Sequence, residues 1–474
     1  MSSMRVSVAP TRLTRFRNAG TQAFCFNCAL VLVFLRFSCL HETVAAVTGV
    51  NTYVLYIFGP IAFAGVIADG GLQRILRQPA GTFSLAFVTW MILAVPFSSW
   101  RGGSLVHVLA YLRTDFLMLF VTAGLARSWG DCRKVIHTVA LAGIFNLATA
   151  HFLVDNAYSD RLTLQGNGII SNPNDLAAHL LLILPFFLFV VIEKSAPAIL
   201  RIAAVMAIPI GLFQILRTGS RGALVAIGLT TLFLIARGSA RQRVTIGVAA
   251  LAMSILIILL LPATTWSRLT TFSGDKESGG EAVESSEARG YLLKQSIVYT
   301  IENPFFGVGP GQFSTYEGKS RVSEGFKGYW HETHNSYTQI SSECGIPALV
   351  FYLMITISNF RLLAKIQRKA AQIRHQEIAI AAFCLTIALV AYSVVILFVN
   401  FAYRFYMPAI SGLLLAIWFA ACREVSRRTV APRLVEGSSV LRLRAAEEQF
   451  AGATRTSVVT AKIPIRSGSS PAMA

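Results

Sequence analysis

Charge is scarce in this chain. Only 14% of its 474 residues are Asp, Glu, Lys or Arg, against about 25% in a typical soluble domain. That shortage argues against a water-soluble globule. Acidic residues are the rarer kind, 23 against 42 Lys and Arg, which leaves a formal net charge of +19. The surplus does not signal nucleic acid, because no basic stretch is interleaved with stacking aromatics. Cysteines are few, seven in all, and no disulfide framework is implied. Cys25 and Cys28 form a CxxC pair inside the first apolar run, but no second pair completes a four-ligand zinc site. The alternating ten-residue patterns of a membrane β-barrel are missing too.

What the chain has instead is apolar length. Hydrophobic residues make up 54%, and the mean hydropathy is +0.59. Runs of about 18 or more apolar residues recur, as in membrane-spanning helices. The expected fold is all-α: a polytopic membrane protein of about 12 transmembrane helices. They fall near 22–40, 50–68, 82–97, 104–126, 135–154, 176–192, 198–216, 222–236, 243–262, 337–358, 378–399 and 403–421.

Alternate connections are basic, including Arg74 and Arg77, Arg133 and Lys134, and Arg361, Lys365, Arg368 and Lys369. Lys and Arg gather on the cytoplasmic side. The other connections are acidic or mixed and should face outward: HETVAAVTG, PFSSWRGGS, DNAYSDRLTLQGNGIISNPND, RTGSR, a long loop and NFAYR. The expected plan has five parts. Residues 1–21 form a basic cytoplasmic N-terminus before a retained first helix, rather than a cleaved signal peptide. Residues 22–262 carry helices 1–9, residues 263–336 a large periplasmic loop, and residues 337–421 helices 10–12. Residues 422–474 form a cytoplasmic, largely disordered tail, in which RLVEGSSVLRLRAAEEQF could lie on anionic lipid. Within the long loop, SGDKESGGEAVESSEARG is expected to be mobile. A helix follows, with Tyr291, Leu292, Ile297 and Val298 on the membrane surface.

The chemistry-bearing residues crowd the outward connections. Arg217 and Arg221 flank a tight turn in LRTGSRGAL. A guanidinium at the membrane edge needs a partner, and its planar fork suits phosphate; the alternative is snorkelling to headgroups. Arg289 alone would read as a solvated loop charge. His331 and His334 occur in WHETHNSY, one residue short of the HExxH spacing that zinc proteases need; a histidine there can instead be a neutral base. Asn335 follows, and Glu343 lies two turns into the next helix, where an acid is costly unless paired. Gly307, Gly309 and Gly311 lie in GVGPG, with no βαβ unit around them, so a dinucleotide site is excluded and a tight turn or close backbone approach remains. In SNPND, Asn174 or Asp175 reads as a helix N-cap, with ligand contact by Asn174 as the alternative. Arg36, His107, Arg113 and Asp115 lie within spans, either paired or lining a lipid path.

Together, SNPND before a helix, RTGSRGAL, ARGYLLKQSI leading to NPFFGVGPGQF, and HETHNSYTQISSECGIPALVF resemble the O-antigen ligase family, which also includes Wzy-type and exopolysaccharide polymerases. The resemblance spans roughly residues 160–360. It implies a metal-independent, inverting glycosyl transfer, without cofactor, at the outer face of the bacterial cytoplasmic (inner) membrane. The donor would be a glycan on undecaprenyl diphosphate, and the acceptor a hydroxyl of lipid A-core or of another glycan. By that likeness Arg221 and Arg289 bind the diphosphate with help from Arg217, and His334 is the base that Glu343 could orient. His331, Asn335, Asn174 and Gly309 remain possible contacts, and no metal site or nucleic acid partner is expected. Ligation and polymerisation share every visible motif. A non-enzymatic transporter of the same lipids would instead spread charges through several spans.

Overall fold

The computed structural model describes residues 19–153, 161–162, 168–170, 172–237, a few positions between 240 and 248, 276–325 and 330–427. Of the expected ninth span at 243–262 only residues 243, 244, 247 and 248 are described, and the tail from 428 lies outside the described residues. The chain divides into two units, Met1–Ala421 and Cys422–Ala474, the second described only over 422–427.

The described residues are helical and contain no strand. In hydrocarbon each backbone N–H and C=O must be satisfied within its own segment, which leaves helices for a chain of this pattern. In order they are α1 Ala19–Ser38, α2 Leu40–Thr48, α3 Leu55–Ala68, α4 Gly71–Leu76, α5 Pro79–Ala94, α6 Arg101–Ala110, α7 Leu117–Gly124 and α8 Trp129–Phe152. Then follow α9 Pro173–Ile192, α10 Ala198–Arg217, α11 Arg221–Arg237, α12 Lys276–Glu302, α13 Phe313–Ser323, α14 Ser336–Gln372, α15 Gln376–Val395 and α16 Tyr406–Arg427. Nine helical stretches among the described residues are long and apolar enough to cross a membrane. They coincide with nine of the twelve expected spans. The expected second and eighth spans are shorter helices, α3 and α11.

The two sets of connections gather at opposite ends of the bundle. At one end Arg127 pairs with Asp69, Arg74 donates to the Gly124 carbonyl, and Arg133 reaches Glu193 and Glu377. At the other, Ser99 N–H and Oγ donate to the Val308 carbonyl, Ser104 to Pro310, Arg161 to Thr218, and Asn400 to Glu332. Between the ends, a π-helical turn over Tyr111–Phe116 carries Asp115. Its carboxylate accepts from buried Arg36 at 2.6 Å, so of the two readings of that pair the structure takes the paired one.

α14 is broken near its start. Gly345 has φ 81° and ψ 174°, a region open essentially to glycine alone. Pro347 has no N–H to give the Glu343 carbonyl. The orphaned carbonyls are met from outside the helix: Ser342 accepts from Val308 N–H at 2.8 Å and Glu343 from Gly309 N–H at 2.9 Å. The Cys344 carbonyl accepts from the Trp90 indole at 3.0 Å, and the Ile346 N–H donates to Pro304. The GVGPG turn is therefore built into the helix break. A Cβ on Gly345 would run into the Phe305 carbonyl. Gly345→Ala should cost about 2–3 kcal/mol from strain alone, readable as a lower thermal unfolding midpoint in detergent.

α12 begins at Lys276, so the stretch expected to be mobile is helical from that residue on. Leu292 is buried with Tyr299, Val308 and Phe313, and Tyr291 and Val298 pack against them. These three form a small core of their own with α13 rather than the expected membrane-facing surface. Ile297 instead joins Leu293 and Ile301 on an exposed stripe at i, i+4, i+8 spacing.

Candidate active site

The outward-type connections meet around His334. Asn335 caps α14, its side chain accepting from the N–H groups of Tyr337 and Thr338 at 3.0 and 3.2 Å. Thr333 Oγ1 donates to Asn400 and to the Asn335 carbonyl. These ties leave His334 between them with φ 52°, a left-handed conformation that costs a non-glycine residue roughly 1–2 kcal/mol. His334 is half-buried. Burial first, then the charges of Arg289 and His331, lower its pKa to about 4. The imidazole is thus neutral and able to take a proton near pH 7.

Arg289, on α12, acts on His334 and also on Asp175 at the start of α9. Asp175 feels Arg404 and Glu332 as well. Behind it, His179 is held by Tyr406 at 2.7 Å and Asn146 at 2.6 Å. The N-cap of α9 is Asn172, whose side chain accepts from Asn174 N–H at 2.8 Å, and not Asn174 or Asp175 as the sequence suggested. Pro173 explains the shift, since proline favours the first helical position and sets the cap one residue before it. Asn174, freed from capping, accepts from Arg161, which also donates to the Thr218 carbonyl.

Arg221 opens α11, and the adjoining Gly222 presses on Phe398, two residues from Asn400 and its bond to Glu332. Arg217 closes α10, where its carbonyl accepts from Leu162 N–H. His331 is exposed.

Two expected site residues serve the turn. The Glu343 carboxyl oxygens accept from the N–H groups of Gly311 and Phe313 at 3.0 and 3.2 Å, which satisfies amides at the start of α13. Gly309 has φ 116°, and a Cβ there would meet Ser98 Oγ; the close approach is to protein. Glu343→Ala strips two buried amides of their acceptor and should cost about 3 kcal/mol. Glu343→Gln should keep most of that stability. A Gln variant of unchanged stability with transfer reduced as far as in His334→Ala would instead assign Glu343 to the chemistry.

Arg404 was not singled out from sequence. It is half-buried, its guanidinium makes no ion pair or hydrogen bond with a described residue, and its charge reaches Asp175 and His107. The signal was present: like Arg221, it stands in an outward connection, NFAYR, at the mouth of an apolar run. Arg161 was missed for want of any motif around it.

The arrangement puts a neutral imidazole within the field of a guanidinium group. Residues 206–353 match the family model described as O-antigen ligase (Wzy_C). No curated protein matches the chain. The matched stretch contains Arg217, Arg221, Arg289, the helix break and His334. The long apolar helices make this a multi-pass membrane protein, and the match supports an enzyme of the O-antigen ligase/polymerase kind. Over residues 206–353, then, the chain is similar to the O-antigen ligase family.

Proposed function

We propose that the protein transfers a glycan from undecaprenyl diphosphate to a sugar hydroxyl at the outer face of the cytoplasmic membrane. Ligation to lipid A-core is the first reading and polymerisation of repeat units the second. The observation that carries the proposal is the neutral His334 lying in the field of Arg289. The acceptor oxygen bonds to the anomeric carbon as the bond to the diphosphate breaks. The electron pair leaves with the diphosphate oxygen, and the acceptor proton passes to the imidazole. Negative charge grows on the leaving group, and fixed guanidinium groups at a dry membrane edge stabilise it. Arg221 and Arg289 hold the diphosphate in this reading, Arg217 and Arg404 add charge, and Glu343 positions the turn.

The test supplies purified protein with the lipid-linked glycan in EDTA, with and without lipid A-core. Product that forms only with lipid A-core identifies a ligase; donor chains that lengthen without it identify a polymerase. Transfer should persist in EDTA and fall steeply in Arg221→Ala and Arg289→Ala. Inserted, folded protein that transfers to neither acceptor overturns the proposal.

A further inference from the structure

The far end of α14 carries a second feature that glycan transfer does not use. From the helix break at Gly345 to Arg361 is 16 residues, about 24 Å at 1.5 Å per residue. There α14 runs beside the start of α5 and encloses a cavity of about 460 Å³. Arg77, Arg361 and Lys365 line it, and no Asp or Glu does. None of the three cations makes an ion pair or hydrogen bond with a described residue. The first turn of α5, which has no side-chain cap, also lines the cavity, and its unsatisfied N–H groups favour an anion. Phe83 and Leu415 give the same cavity an apolar floor. Cations, open amides and the Ser358 hydroxyl, in one cavity with the apolar Phe83 and Leu415, match a phosphodiester headgroup joined to acyl chains. Basic pockets between helices at a membrane surface take such headgroups.

We propose that this cavity is a binding site for an anionic phospholipid in the leaflet at the basic end of the bundle. The three cations hold the phosphate, and the apolar floor takes the first part of a chain. The site stands apart from the transfer chemistry, so its test reads binding.

The delipidated full chain in detergent is titrated with phosphatidylglycerol, phosphatidylethanolamine or phosphatidylcholine and followed by native mass spectrometry. Phosphatidylglycerol should bind at least tenfold more tightly than phosphatidylcholine. Arg77→Gln, Arg361→Gln and Lys365→Gln combined should remove that preference, and Arg361→Gln alone should weaken it about threefold. Arg368→Gln, on the same helix but outside the cavity, should leave it unchanged. Equal loss in Arg368→Gln, full retention in the triple variant, or equal binding of all three lipids overturns the proposal. Complete displacement by millimolar glycerol phosphate would overturn it in favour of a soluble phosphate ligand.

Discussion

Replacing His334 with alanine should slow glycan transfer about 10²–10⁴-fold, the usual worth of a positioned general base, while the protein still inserts and folds. The pH dependence separates this from a loss of structure. A general base works only when unprotonated. Burial and the nearby Arg289 and His331 lower the His334 pKa to about 4, so its neutral form persists as pH falls well below the ordinary histidine value of about 6.5. The acid limb of kcat/KM, which reports the free enzyme, should therefore lie near pH 4. In His334→Ala the residual activity should lose that limb. An unchanged rate, or a limb that stays in place without the imidazole, removes His334 from the chemistry.

Much of this arrangement was legible in the sequence because the bilayer enforces it. Nine apolar runs became nine long helices since hydrocarbon leaves the backbone no other choice. Connections that the charge sorting put in one group do meet, Ser99 on Val308 and Arg161 on Thr218 among them, though the sequence named neither contact. What stayed hidden is non-local. Pro347 announces that the Glu343 carbonyl lacks its helical partner, but nothing nearby says that Gly309, 34 residues earlier, will supply the N–H. For the same reason Glu343 read as a candidate catalyst when its carboxylate holds the amides of Gly311 and Phe313. Tyr291 and Val298 read as membrane-facing because the apolar partners that cover them come from α13 and the turn. Arg404 was missed although it met the criterion that picked out Arg221, because its connection is short and carries no glycine-rich motif around it.

Arg289→Ala and Arg404→Ala should each lower kcat by about 10²–10³, the typical cost of removing one preorganised donor to a developing charge. The argument for Arg404 rests on its place. A half-buried guanidinium at a membrane edge is costly unless something answers its charge. Among the described residues the guanidinium has no hydrogen-bonded or ion-pair partner, and the carboxylate whose field it meets is Asp175, which Arg289 shares. Arg289 and Arg404 both act on the Asp175 carboxylate, and a diphosphate carries enough charge to engage two guanidinium groups. Because the charge on the leaving group grows as its bond breaks, the loss should appear mainly in kcat and less in KM. Arg404→Lys, which keeps the charge but loses the fork, should recover part of the rate. Both single variants should also weaken inhibition by undecaprenyl diphosphate, and the double variant should lose less than the product of the two, since both arginines hold one group. Arg404→Ala with wild-type kcat and wild-type product inhibition would show that its charge faces something other than the leaving group.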